Sequence, residues 1–281
     1  MATLLALLSS FMWGSADYHA GNLSKKFPAI VILAVNQFFG LLFGIFLIFM
    51  TNSWSAPTSA WSGYLISGAI AGFAGYIGLL CLYAGLATGR MGVVSPISSL
   101  SALIPLAYAF IVKGDRLSVA VSIGVVFATL GGFLASGPDI HQRLPIRPLL
   151  LALGAATGFG VALIFMAIGS EESPLLTMVS MRTATLFVSA AILFKRKNLG
   201  GLTPSNIPLL IAIGSSDFAA NLLLGIATTK GLVSIAMVLG ALYPIVTALL
   251  AFAFLHERLH KIQYLGVLFA VGGVALISAL Q

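Results

Sequence analysis

The sequence predicts an all-α, polytopic membrane protein with ten transmembrane helices arranged as two inverted five-helix repeats. Three observations support this prediction: the composition, the succession of apolar segments and an internal repeat. The chain has 281 residues, of which 59% are hydrophobic and 7% are charged, whereas about 25% are charged in an ordinary soluble domain. Because so few polar side chains could cover a water-exposed surface, we expect most of the chain to lie within a lipid bilayer.

Apolar segments long enough to cross a bilayer follow one another along the chain. Each crossing needs about 20 mainly apolar residues, and short separators rich in charge, glycine or proline divide the segments. The first segment lacks the basic start of a secretory signal and continues past Trp13, so we interpret it as a span. The predicted spans are 2–22, 28–50, 62–86, 91–112, 118–136, 148–168, 174–194, 207–228, 231–254 and 261–280.

The two halves of the sequence, 1–137 and 146–281, carry matching residues in the same order. The matches are Trp13-Gly14 with Phe159-Gly160, Pro28 with Pro174, 85–88 with 225–228, Gly92, Ser95, Ala102, Leu103 and Pro105 with Gly231, Ser234, Ala241, Leu242 and Pro244, and 115–117 with 257–259. Because five is an odd number of spans, the second half must begin on the opposite side of the membrane. An inverted repeat of this kind predicts a site near the midplane, between the halves.

This ordered set resembles the drug/metabolite transporter superfamily, specifically its EamA-like ten-helix members, over essentially the whole chain. The residues that carry the resemblance are Trp13-Gly14, Pro28, Pro174, Pro105, Pro244 and the acidic-Arg-Leu turns at 115–117 and 257–259. The resemblance implies a secondary transporter in the bacterial inner membrane rather than an enzyme. Members export amino acids and other metabolites, and relatives move sugars, nucleotide sugars or cationic drugs, so the substrate stays open.

The loop charges and the resemblance disagree on the orientation of the chain. The loops after odd-numbered spans hold ten Lys and Arg residues, whereas the loops after even-numbered spans hold three. The positive-inside rule then places both termini outside the cell. The resemblance implies that both termini lie in the cytoplasm, so the orientation is left open.

Three charged residues lie inside otherwise apolar predicted spans: Asp17, Arg182 and Asp217. A charge at the centre of a transmembrane helix costs about 2.5–3.5 kcal/mol on insertion scales, so these residues are candidates for substrate binding. Asn36 and Arg182 each follow a matched proline by eight residues, which predicts similar depths on opposite sides of the pseudo-twofold axis. The polar residues predicted to accompany the charges are His19, Asn36, Gln37 and Asn221.

Two interpretations of these charges remain open. In the first, Arg182 binds a substrate carboxylate, and Asp17 or Asp217 binds its ammonium group. Asp17 would alternatively exchange a proton. In the second, Arg182 forms an ion pair with Asp217 or Asp17 that only holds helices together.

Aromatic residues and prolines add further candidates. The aromatic residues that the resemblance places around a central cavity are Trp13, Tyr76, Tyr83, Phe159 and Tyr243, although each could serve packing alone. The prolines expected to kink or hinge spans four and nine, because each removes a backbone N–H donor, are Pro96, Pro105 and Pro244. The aromatic set would suit an amphiphilic or aromatic substrate.

Several features argue against other functions. The net charge of +7 does not indicate nucleic-acid binding, because Lys and Arg lie in short groups between apolar runs. Cys81 is the only cysteine, so no disulfide or cysteine metal cluster is predicted. The segment His256-Glu257-Arg258-Leu259-His260 spells the H-E-x-x-H zinc-protease pattern, but its core repeats at 115–117 without histidines, so we interpret it as a turn. No P-loop, nucleophile elbow or dinucleotide fingerprint occurs, so no cofactor, metal or catalytic residue is predicted.

The first functional hypothesis is a secondary carrier that exports an amino acid with a hydrophobic or aromatic side chain by alternating access to a midplane cavity. The alternatives are a proton-coupled exporter of cationic or sugar-like compounds and, more remotely, a zinc-dependent membrane protease at 256–260. The expected partners are a small-molecule substrate, with or without a coupling proton, and membrane lipid. The expected assembly is a monomer or a weak homodimer.

Overall fold

The computed structural model describes residues 1–58, 60–86, 94, 97–137, 146–196, 200–255 and 260–280. Within these ranges the chain forms ten main helices and no strand, which confirms the all-α prediction. The helices are α1 Ala2–Ser24, α2 Ala29–Thr51, α3 Tyr64–Leu86, α4 Ile97–Lys113, α5 Val119–Ala135, α6 Ile146–Glu172, α7 Pro174–Arg196, α8 Ile207–Lys230, α9 in two parts, Val233–Gly240 and Tyr243–Leu255, and α10 Lys261–Leu280. Seven helices within the described part of the chain, α2, α3 and α6 to α10, are long and apolar enough to cross a membrane, and α4 and α5 are shorter apolar helices. The helix α1, predicted as the first span, is not in either group.

The helix α6 continues beyond its predicted end at 168 and includes both glutamates of the predicted separator. These charged residues remain helical because each has a partner. Glu171 forms an ion pair with Lys113 at the end of α4. Oε2 of Glu172 accepts a hydrogen bond from the backbone N–H of Tyr64, at the start of α3, at 2.7 Å. The end of α6 is therefore attached to two helices of the first half.

The prolines of α4 and α9 lie next to departures from regular α-helical geometry. The helix α9 is interrupted at 241–242, where Pro244 lacks the N–H that would bond to the carbonyl of Gly240. In α4, Pro105 follows a 3-10 turn at Leu100–Ala102. Span nine is therefore two helical segments rather than one continuous helix, and Pro96 lies outside the described residues. The predicted hinge role of these prolines stays a prediction.

The helices of the two halves pack mainly on each other. The helix α3 contacts α6 and α7, and the equivalent helix of the second half, α8, contacts α1 and α2. The helices α2 and α7 contact each other, as do α5 and α10. Exchanging the halves therefore reproduces these main interfaces, as a pseudo-twofold relation requires. Since each half contains an odd number of helices, the two halves run in opposite directions through the bundle.

Glycines at matched positions allow the halves to approach closely. A methyl group added at Gly14 in α1 would lie 2.5 Å from Cβ of Val246 in α9. A methyl group added at Gly160 in α6 would lie 2.5 Å from Cδ1 of Ile104 in α4. Gly14 and Gly160 thus allow the same kind of contact in the two halves, which gives a physical reason for the repeated aromatic-Gly pair.

Candidate functional site

A cavity of about 200 Å³ lies between the two halves of the helix bundle. Its lining comes from α1 to α4 and from α6 to α9, whereas α5 and α10 pack on each other and contribute no lining residue. The predicted site residues that line it are Trp13, Asp17, Asn36, Gln37, Tyr76, Phe159, Arg182, Asp217, Asn221 and Tyr243. Residues that are far apart in the sequence are therefore brought to a single site that both halves form.

Arg182 on α7 is the centre of a hydrogen-bonded network on the cavity wall. Its Nη2 donates to Oδ2 of Asp217 on α8 at 2.5 Å, and its Nη1 donates to Oε1 of Gln37 on α2 at 2.7 Å. The indole N–H of Trp13 on α1 donates to Oδ1 of Asp217 at 3.1 Å. The side chains of Arg182 and Asp217 are 7% and 23% exposed, so this ion pair is largely shielded. The whole hydrogen-bonded network joins α1 and α2 of the first half to α7 and α8 of the second half.

Asp17 occupies a different environment in the same cavity. It lies one helical turn beyond Trp13 on α1, and its exposed side chain contributes to the cavity lining. Within the described part of the chain it forms no hydrogen bond or ion pair. It lies close enough to Asp217 and Tyr243 to interact electrostatically with both. Among the described lining residues, the charged groups are two carboxylates and one guanidinium, so one of these carboxylates lacks a compensating charge there.

The neutral polar residues divide into bonded and unbonded groups. Thr185, one turn beyond Arg182 on α7, donates to the carbonyl of Arg182 at 3.0 Å and lies 3.4 Å from Oε1 of Gln37. Nδ2 of Asn221 donates to the carbonyl of Asp217 at 2.7 Å. Oδ1 of Asn36 is buried and has no hydrogen-bond partner in the part of the chain that the structure describes. Thr185 was not among the predicted residues, and its helical spacing from Arg182 is the one sequence signal that could have indicated it.

Aromatic side chains from both halves form much of the remaining wall. Trp13 and Tyr243 lie edge to face with their ring centroids 6.1 Å apart. Tyr76 on α3 is buried, and its hydroxyl lies 3.3 Å from the hydroxyl of Ser189, which donates to it. Phe159, the match of Trp13 in the second half, lies on the same cavity. The described lining of the cavity therefore combines a carboxylate that lacks a compensating charge with a largely aromatic and aliphatic wall.

Some predicted residues are not brought to the cavity. His19 is exposed and lies against Tyr18, with ring centroids 5.1 Å apart, outside the cavity lining. The side chain of Tyr83 lies outside the described residues, as does the segment 256–259 of the H-E-x-x-H pattern. Among the residues that the structure does describe, no cluster of three potential metal ligands occurs.

A family model described as the EamA-like transporter family matches residues 1–137 and 146–279. The chain belongs to the EamA-like transporter family. The two matched stretches of this EamA-like chain are separated where its two halves meet. Because the family comprises polytopic membrane transporters, the chain is an integral membrane protein that transports small molecules. A bacterial inner membrane is consistent with this assignment.

Two further proteins are similar to this EamA-like chain. An uncharacterized protein of Methanocaldococcus jannaschii is 31% identical over 137 residues, which are 46% of this chain and 95% of that protein. A solved structure, described as "Crystal structure of protein", has a TM-score of 0.77 at 18% identity and covers 99% of this chain and 96% of its own. The first relative is about as long as one half of the chain. The second shows that the whole fold recurs in a solved structure.

Proposed function

We propose that the chain is a secondary carrier that exports an amino acid with a hydrophobic or aromatic side chain, by exposing the cavity alternately to the two sides of the membrane. The observation that carries this proposal is Asp17, a carboxylate that lines an aromatic cavity and has no partner among the described residues. A charged group inside a transmembrane helix bundle is costly unless it is paired. A substrate ammonium group would supply the missing partner.

The rest of the cavity matches the other parts of an amino acid. Trp13, Tyr76 and Phe159 offer aromatic surface to an apolar side chain. Arg182 would bind the substrate carboxylate. A guanidinium has five N–H donors, and the bonds to Gln37 and Asp217 use two of them, which leaves donors for the substrate. The ion pair with Asp217 would then position Arg182 rather than compete with the substrate.

Transport by the purified protein in proteoliposomes tests the substrate. Three compounds with the same ring separate the recognised groups: phenylalanine, phenethylamine, which lacks the carboxylate, and N-acetylphenylalanine, which lacks the ammonium group. We expect counterflow with phenylalanine alone. Transport of sugars, with none of any amino acid in a wider panel, would contradict the proposal.

The variant Asp17→Asn tests the residue that carries the proposal. Asn has nearly the same shape but no charge, so it should abolish phenylalanine transport. Asn36→Ala serves as a comparison, because Asn36 lines the same cavity without a charge, and we expect it to retain part of the activity. Full transport by the Asp17→Asn protein would exclude Asp17 as the ammonium partner.

A second candidate function is proton-coupled export of a cationic compound through Asp17. The uncompensated carboxylate favours it, because a substrate with a single positive charge would neutralise the cavity completely. In the same assay this function predicts transport of phenethylamine in preference to phenylalanine. It also predicts accumulation of the amine driven by an imposed pH gradient, and loss of that accumulation in Asp17→Asn.

A further inference from the structure

The first part of α9 separates the cavity from one face of the bundle. We call this the N-terminal face, defined by Met1, the α4–α5 turn at 114–118 and Ser173. All residues of Val233–Gly240 are buried. One turn inside this segment, Met237 lines the cavity together with Met166 and Leu224. A fully buried helical segment therefore lies between the cavity and the N-terminal face in this conformation.

The start of α9 is capped by a residue of the other half. Its own N-cap residue, Leu232, is apolar and makes no side-chain cap. Instead, Oδ2 of Asp115, which follows α4, accepts hydrogen bonds from the backbone N–H of Ser234 at 3.1 Å and from its hydroxyl at 2.7 Å. A carboxylate at this position satisfies a free N–H and compensates the helix dipole.

A second contact attaches the same turn to the second half. Lys113, two residues before Asp115, forms an ion pair with Glu171 at the end of α6. The end of α4 and the turn that follows it therefore contact both α6 and α9 at the N-terminal face. If the cavity opens toward this face by separation of α4 and α9, the contact between Asp115 and Ser234 breaks.

The position of Asp115 suits a contact that breaks and re-forms. Ser234 is fully buried, whereas Asp115 is only partly buried at the end of the bundle. On separation, water can reach the carboxylate, so no unpaired charge is left in the apolar interior. The sequence repeats these residue types in the matched positions of the other half, since Ser95 matches Ser234 and Glu257 matches Asp115.

We propose that Asp115 is a latch that holds the cavity closed toward the N-terminal face by capping α9 across the interface between the repeats. The purpose of the latch rests on the proposed alternating exposure of the cavity. The latch itself acts on the conformational equilibrium of the protein without substrate. Removing it shifts that equilibrium toward a state that is open to the N-terminal face.

A thiol-labelling experiment tests the latch. In a Cys81→Ala background, Ala236→Cys places a thiol in the buried first part of α9, where Ala236 is 1% exposed and does not line the cavity. The rate of its reaction with a water-soluble maleimide then reports opening at this face. Adding Asp115→Ala should raise the rate roughly fivefold, the change expected for the loss of one helix cap. Asp115→Asn, which keeps an acceptor oxygen, should raise it less.

Two controls make the result decisive. The first control is Arg116→Ala, which changes the exposed residue next to Asp115 and should leave the labelling rate at Ala236→Cys as in the parent. A thiol at Ala152→Cys, buried near the opposite end of the bundle, should stay unreactive in Asp115→Ala. Equal rates in Asp115→Ala and the parent, or an equal rise at both thiols, would overturn the latch. No substrate is needed, so a failure of amino-acid transport would leave this result unaffected.

Discussion

The two aspartates of the cavity have the same chemistry but different partners. Asp217 accepts hydrogen bonds from Arg182 and Trp13, whereas Asp17 has no partner among the described residues. Asp217 therefore links α8 directly to α7 and α1, whereas Asp17 forms no such link among the described residues. We therefore expect substitution of Asp217 to lower the stability of the protein, and substitution of Asp17 to affect substrate binding instead.

Asp217→Asn is expected to destabilise the protein, whereas Asp17→Asn is not. The first change leaves the guanidinium of Arg182 without its counter-charge in a shielded position, at a cost of about 1–3 kcal/mol. The second removes no hydrogen bond or ion pair among the described residues and takes away a charge that lacks one, so it should leave the free energy of unfolding unchanged or raise it. Thermal unfolding of the purified proteins measures both. Equal loss of stability in the two variants would show that Asp17 also has a structural partner.

The pairing of these charges could not be predicted from the sequence. Asp17, Arg182 and Asp217 were identified as intramembrane charges because each interrupts an apolar run. Their helices are apolar on most sides, however, so the sequence does not indicate which face of each helix points inward. The choice between Asp17 and Asp217 as the partner of Arg182 therefore depended on the packing of α1, α7 and α8.

At the scale of helices, the repeated aromatic-Gly pairs combine two roles in adjacent residues. Trp13 and Phe159 line the cavity, and the glycines that follow them allow α9 and α4 to approach α1 and α6. Because the two residues are adjacent, the contact fixes where the aromatic ring lies. Their duplication was visible in the sequence, but the helices that they contact were not.

Gly14→Ala is expected to destabilise the protein by about 1–3 kcal/mol, because overpacking forces backbone shifts. The added methyl group would lie 2.5 Å from Cβ of Val246 and 2.6 Å from the carbonyl oxygen of Tyr243. Gly21→Ala on the same helix is the matched control, since it has nothing within 4 Å. That control should be neutral or slightly stabilising. Thermal unfolding compares the two variants. Similar unfolding curves would show that α1 and α9 can move apart at little cost to accommodate the methyl group.

At the scale of the whole molecule, most packing lies between the halves rather than within them. The helices α1 and α3 pack on helices of the second half, and α5 packs on α10. Neither half alone would cover these surfaces. The relative from Methanocaldococcus jannaschii, which is about as long as one half, shows that a sequence of this length occurs separately.

Residues 1–137 and 138–281, expressed together as separate chains, are expected to assemble and copurify through a tag on the first chain. Each should aggregate or be degraded when expressed alone, because its interface residues would be exposed. Gly131→Leu in the first chain is the control, since a methyl group at Gly131 would already lie 2.4 Å from the backbone nitrogen of Ala270 in α10. A first chain that is stable and monodisperse by itself would contradict this prediction.

The sequence alone predicted the membrane class, ten apolar segments and the inverted repeat. It did so because apolar length, breaker residues and an odd number of spans are one-dimensional properties. The packed helices were needed to show that Arg182 is paired with Asp217, that Asp17 has no partner among the described residues, and that α9 is interrupted and capped by Asp115. These features depend on how each helix is rotated about its own axis and on which helices it contacts. Because the faces of these helices are nearly equally apolar, close packing between the halves sets both.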